Sequence, residues 1–241
     1  MSEHQALLDG GPRIKFECTH VADGEEVSYS PEELQDLKRD LARGLHALLQ
    51  TNAAPVGPDG KLLGNCACLL GAGQVLISRS GRGPNEPVNL DKDFPICVDF
   101  DKTSWSAKFR SLSDSDKPSS DTPLHWFSLV EASETYHWNK APKFVLHGHS
   151  FASVEEAKML DVPISHEDTL FSTKEDVAAL MGLLKDYPYP EHKVFIRNGK
   201  EKNKRKKKEE RALLFSSSRS LLICRRLHNL PLALHTLFSC M

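Results

Sequence analysis

Leu34, Leu37, Leu41, Leu45 and Leu48 recur three or four residues apart, which puts all five on one face of a helix. Directly ahead of them, Ser30-Pro31-Glu32-Glu33 has the form of a capping box. Ser30 can accept from the N3 amide, Glu33 can reach back to the Ser30 amide, and Pro31 suits the first helical position. The spacing predicts an amphipathic helix of about 19 residues. An apolar stripe that long needs a flat apolar partner, and the chain supplies short β-type runs at residues 13–18, 65–70, 74–78, 96–100, 143–149 and 193–197. Between them, residues 111–123 read as a Ser/Asp/Pro loop and residues 124–133 as a second helix. Ser153-Val154-Glu155-Glu156 can cap a short helix, and Ser172-Thr173-Lys174-Glu175 reads as a second capping box before Val177, Leu180, Met181 and Leu184. Strands and helices that interleave without internal repeats predict one α/β domain with helices packed on a sheet.

The formal charge of −2 is a cancellation. Residues 1–199 hold 20 Lys and Arg against 30 Asp and Glu, a net of −10, while residues 200–241 hold 11 against three, a net of +8. The switch is abrupt, because KEKNKRKKKEER (200–211) places eight basic side chains in twelve positions. The residues after it include no acid and follow no helical or alternating period. The junction at Gly199–Lys200 reads as a seam between two differently composed sequences, as an alternative exon or a retained intron would make. Three segments follow: 1–29, an extension with a strand; 30–199, the body; and 200–241, a basic, atypical or poorly ordered tail. The run from Lys200 to Lys208 reads first as a solvated charged stretch, with polyanion binding or nuclear import as its functional alternative.

An acidic body is a poor match for nucleic acid. No run of 18 or more apolar residues occurs, so no membrane-spanning helix is expected. The N-terminal stretch lacks the basic-then-apolar order of a secretory signal. Six scattered cysteines do not make a disulfide framework, and a reducing, cytoplasmic setting is expected.

His147-Gly148-His149 carries the clearest chemistry. On a strand, residues i and i+2 leave the same face, so two imidazoles can meet one divalent cation. Nitrogen donors favour zinc or a neighbouring transition metal over calcium or magnesium. The same pair also reads, without any metal, as one buried and one solvated histidine. Cys66 and Cys68 form C-x-C with no second pair, His125 reads as a packing or capping residue, and Trp105, Trp126 and Trp138 read as core or rim.

Four segments in order add to this: Gly64-Asn65; Ile77-Ser78-Arg79-Ser80-Gly81; Ser119-Ser120-Asp121-Thr122-Pro123-Leu124-His125; and His147-Gly148-His149-Ser150. Together they resemble the class II aldolase/adducin family, which holds the fuculose-phosphate and ribulose-phosphate aldolases and the adducin head domain. The likeness runs from about residue 30 to 199. It implies a three-layer α/β/α sandwich around a largely antiparallel sheet, with the C-terminal part replaced. It implies His147 and His149 as two of three zinc ligands, Asn65, Ser80, Gly81, Ser119 and Ser120 as the cradle of a substrate phosphate, and Asp121 as the catalytic acid/base. Zinc would polarise a ketose carbonyl while the carboxylate moves a proton. The resemblance also implies a small sugar or sugar-phosphate substrate and a homo-oligomer.

The chain departs from that pattern in three places. Asp121 stands where the family has Glu; the interval to His147, 26 residues, is several residues longer than in the compact aldolases; and Asn198-Gly199-Lys200-Glu201 stands where the third histidine would follow the strand at 193–197. No spacing marks His192, His228 or His235 as its substitute. Two function classes follow: a metal-dependent lyase (or a related epimerase or dehydratase) impaired by the missing ligand, and a non-catalytic adducin-like interaction module.

Overall fold

The computed structural model describes residues 16–22, 29–57, 59–149, 162–165, 169, 172–196, 198–200, 209–211 and 220–224. The expected cap at 153–156, and residues 13–15 of the first expected strand, lie outside them. In chain order the strands are β1 (Glu17–His20), β2 (Asn65–Leu69), β3 (Val75–Ile77), β4 (Ile96–Asp101), β5 (Ser106–Arg110), β6 (Phe144–Gly148), β7 (Val194–Ile196), β8 (Asn198–Lys200), β9 (Glu209–Arg211) and β10 (Ser220–Cys224). The helices are α1 (Pro31–Gln50), α2 (Thr122–Trp126), α3 (Ala132–Thr135) and α4 (Lys174–Asp186). A π-helical turn, Phe127–Glu131, joins α2 to α3.

The leucine stripe forms α1 as its spacing predicts. Glu33 N donates to Ser30 Oγ at 3.2 Å, and Ser30 N donates to Glu33 Oε2 at 2.9 Å. Leu37, Leu41, Leu45 and Leu48 are buried and Leu34 packs beside them, each contributing on the order of 1.5–3 kcal/mol of transfer free energy where fully buried. This face lies on β2 and β6. Cys66 Sγ donates to Leu41 O at 3.5 Å, and a Cβ added at Gly44 would sit 2.7 Å from a Leu146 methyl.

Eight strands form one mixed sheet in the order β1-β5-β4-β3-β2-β6-β10-β7, and β8 pairs with β9 separately. From β5 through β6 every neighbour is antiparallel. The pairs β1–β5, β6–β10 and β10–β7 are parallel, so the antiparallel sheet expected from the resemblance is flanked on both sides by parallel strands. β5 is a strand the hydropathy pattern did not mark. It forms because Asp101 Oδ1 accepts from Thr103 N at 2.7 Å and Ser104 N at 3.2 Å, closing a turn that folds residues 106–110 back on β4. β10 comes from the tail, where the apolar run Ser220–Cys224 pairs with β6 on one side and β7 on the other.

Period-two alternation then sorts the side chains of the central pair. Cys66 and Leu146 are register partners and face α1. Asn65 and His147 are the next partners, so they leave the opposite face, where α2 lies. There α4 packs with Val177, Leu180, Leu183 and Leu184 buried. Its N-cap is Thr173, whose hydroxyl accepts from Asp176 N at 3.3 Å, one residue later than the box read from the sequence.

Candidate active site

Two glycines let the backbone close around His147. A Cβ at Gly148 would come within 2.9 Å of Ala53 O, so the chain after α1 can approach β6 and hold His149 N on Ala53 O at 2.6 Å. Gly64 has φ +126, and a Cβ there would meet His147 O at 3.1 Å. That turn delivers Asn65 opposite His147.

The two serine segments lie side by side. Ser119 N donates to Ser78 O at 3.0 Å, Ser80 N donates to Lys117 O at 2.8 Å, and Arg79 bridges to Pro118. Asp121 follows at the N-cap of α2, but its side chain makes no capping bond. The carboxylate is committed to the site. Asn65 Nδ2 donates to Asp121 Oδ2 at 2.7 Å, His147 Nδ1 lies 2.9 Å from the same oxygen, and Ser172 Oγ donates to Oδ1 at 3.3 Å. Behind Asn65, His125 Nε2 lies 2.5 Å from Asn65 Oδ1.

These contacts have one consistent polarity. With Asn65 Nδ2 donating to Asp121, Asn65 Oδ1 must accept, which makes His125 the Nε2–H tautomer. His147 Nδ1 sits beside the same carboxylate oxygen, which faces this ring nitrogen toward Asp121. Burial holds the His125 ring down at about 3, partly countered by Asp121 and reinforced by His147, so it is neutral at physiological pH.

A network absent from the sequence reading anchors the Ser80–Gly81 turn. Arg79 Nε donates to Asp93 Oδ1 at 2.5 Å, another Arg79 nitrogen pairs with Glu86, and Arg82 Nε lies 3.3 Å from Asp93 Oδ2. Arg82 also donates to Glu86 O at 2.6 Å. Asp93 is fully buried and Arg82 is 5% exposed. The signal available in the sequence was two arginines flanking a Ser-Gly turn at i and i+3.

All of this opens on a cavity of about 410 Å³. Asn65, Ser80, Gly81, Ser119, Ser120, Asp121, His147 and His149 all line it, together with Lys61 and Arg82. The residues singled out in the sequence from four separate segments are thus brought to one place. Ser172, which holds Asp121, was not among them.

The imidazoles of His147 and His149 lie side by side. Their ring centroids are 5.1 Å apart, and two histidines bound to one tetrahedral zinc at about 2.1 Å keep their centroids roughly 5 Å apart. Among the described residues, no group of three or more His, Cys, Asp and Glu could hold a metal ion. His192 is elsewhere, with its ring 5.1 Å from Tyr187 and its amide on Pro188 O. His228 and His235 lie outside the described residues. No helix among the described residues is long and apolar enough to cross a membrane.

No protein-family model matches the chain, and no curated protein does. A solved structure described as L-fuculose 1-phosphate aldolase matches 90% of this chain and 84% of its own, at 14% identity and a TM-score of 0.48.

Proposed function

We propose that the chain is a class II aldolase-like protein whose parent activity is zinc-dependent aldol cleavage of a small sugar phosphate, impaired here by a missing ligand. One observation carries this reading: the eight residues expected from the motifs line a single cavity, with the Asp121 carboxylate joining Asn65 to His147. The layer of α1 on one sheet face and of α2 and α4 on the other is read as a three-layer α/β/α sandwich. Residues 30–199 form its body and 200–241 a replaced C-terminus.

His147 and His149 would hold the metal, and zinc at that point supplies a Lewis acid for the ketose carbonyl oxygen. The other roles belong to the chain itself. The Ser80–Gly81 turn and the Ser119–Ser120 segment offer neutral backbone and hydroxyl donors to a phosphate, with Asn65 beside them. Asp121 accepts the proton from the substrate hydroxyl as the carbon–carbon bond breaks and returns it to the departing enolate carbon. His147 lies with Nδ1 2.9 Å from Asp121 Oδ2, so the carboxylate would orient the ring for ligation. Zinc held by two histidines alone would bind weakly, which is why activity is expected to be low. The setting is read as cytoplasmic and the assembly as a homo-oligomer.

A second reading has its own support. The lack of a three-ligand group among the described residues favours a non-catalytic, adducin-like interaction module. A related epimerase or dehydratase would use the same residues. Metal analysis of the purified chain separates the classes. The lyase reading expects zinc that is lost in His147→Ala and cleavage of at least one ketose 1-phosphate when zinc is added. Folded protein that takes up no zinc and cleaves none of them would leave the interaction module.

A further inference from the structure

We infer that Ser172 is a positioning residue that fixes the Asp121 carboxylate, an inference that rests on Asp121 acting as the acid/base. Ser172 is 3% exposed and has φ +59, a left-handed conformation that costs a residue with a Cβ and that glycine adopts freely. Three tethers hold it there. Trp105 Nε1 donates to Ser172 O at 3.1 Å, Ser172 N donates to Asp176 Oδ2 at 2.9 Å, and Ser172 Oγ donates to Asp121 Oδ1 at 3.3 Å. Asp176 is itself fixed, because Thr169 Oγ1 donates to its other oxygen at 2.7 Å.

The cap of α4 leaves the serine hydroxyl uncommitted. Thr173 is the N-cap and Asp176 occupies N3, so Ser172 sits one residue outside the helix and its hydroxyl is not used for capping. It turns to Asp121 instead. Asn65 Nδ2 holds Oδ2 with His147 packed beside it, and a donor on Oδ1 removes the remaining rotation of the carboxylate plane. A serine kept at a backbone position that favours glycine makes sense if the side chain is needed. The hydroxyl aims the oxygen that receives the substrate proton.

Ser172→Gly and Ser172→Ala test this in the full chain with zinc added. Glycine relieves the backbone cost, so Ser172→Gly is expected to melt at or above the wild-type temperature. Both variants are expected to lose about tenfold in kcat with KM unchanged on whichever ketose 1-phosphate the wild type cleaves. Wild-type kcat in both variants overturns the inference. Crystal structures of the two variants supply a readout independent of activity. Asp121 is expected to leave its Asn65–His147 orientation or to occupy several, and an unmoved carboxylate overturns the proposal. If the wild type cleaves none of the ketose phosphates, the lyase reading fails on its own, and the crystal structures still decide whether Ser172 positions the carboxylate.

Discussion

His125 has no exposed surface, and its Nε2 is already spent on Asn65 Oδ1 at 2.5 Å. Its proton affinity in the fold is therefore pushed from the usual 6.5 to about 3, first by burial, with Asp121 opposing and His147 adding. The unfolded chain takes up a proton near pH 6.5 that the folded chain refuses until about pH 3. This ring's contribution is thus complete above pH 6.5 and is lost progressively as pH falls through that window, by up to about 1.4 kcal/mol per pH unit. His125→Gln can still donate to Asn65 but cannot titrate. Urea denaturation between pH 7 and 4 is expected to give a shallower loss of stability in the variant than in the wild type, and parallel curves would refute the assignment of a neutral, buried ring. The ring reads from the sequence as a packing or capping residue near a helix start, and its buried place within α2 agrees. Nothing in the spacing linked it to Asn65, 60 residues away in the chain.

At the scale of elements, legibility followed how local the determinants were. Ser30, Pro31, Glu33 and the leucines sit within one stretch, so α1 could be read directly. The cap of α4 could be read only to within one residue, because Ser172-Thr173 offers two adjacent hydroxyls and Glu175-Asp176 two adjacent acids. The tie is broken from outside, by Trp105 on Ser172 O and Thr169 on Asp176. β5 was hidden for a similar reason, since a turn built by Asp101 creates it. The cap assignment has a direct consequence: Thr173→Ala is expected to cost about 1 kcal/mol through the lost N-cap. Amide exchange in the first turn of α4 is expected to speed up in that variant and to stay near the wild-type rate in Ser172→Gly. The reverse order would return the cap to Ser172.

Across the whole molecule, the charge seam at Gly199–Lys200 was visible in the sequence, but its relation to the sheet was not. The pairing of β10 joins residues separated by about a third of the chain, Ser220 with Phe144 through Cys224 with Gly148, and no local pattern encodes a contact of that range. β10 fills the slot between β6 and β7. β7 has a second tie, since Ile196 N donates to Pro163 O at 2.8 Å and Ser165 N to Ile196 O at 2.9 Å. β6 keeps β2 but would otherwise present a bare edge of polar backbone. Because β6 carries His147, the tail backs the strand that brings this histidine to the cavity. Deleting residues 212–241 is therefore expected to lower the melting temperature by several degrees and to speed exchange of the β6 amides that point toward β10, while α1 and the β3–β4 pair keep their protection. A frayed β6 would also no longer hold His147 beside Asp121, so any zinc uptake found under the proposed function is expected to weaken in the shortened chain. Wild-type exchange along Phe144–Gly148 in the shortened chain would mean that the tail strand lies on the sheet without supporting it.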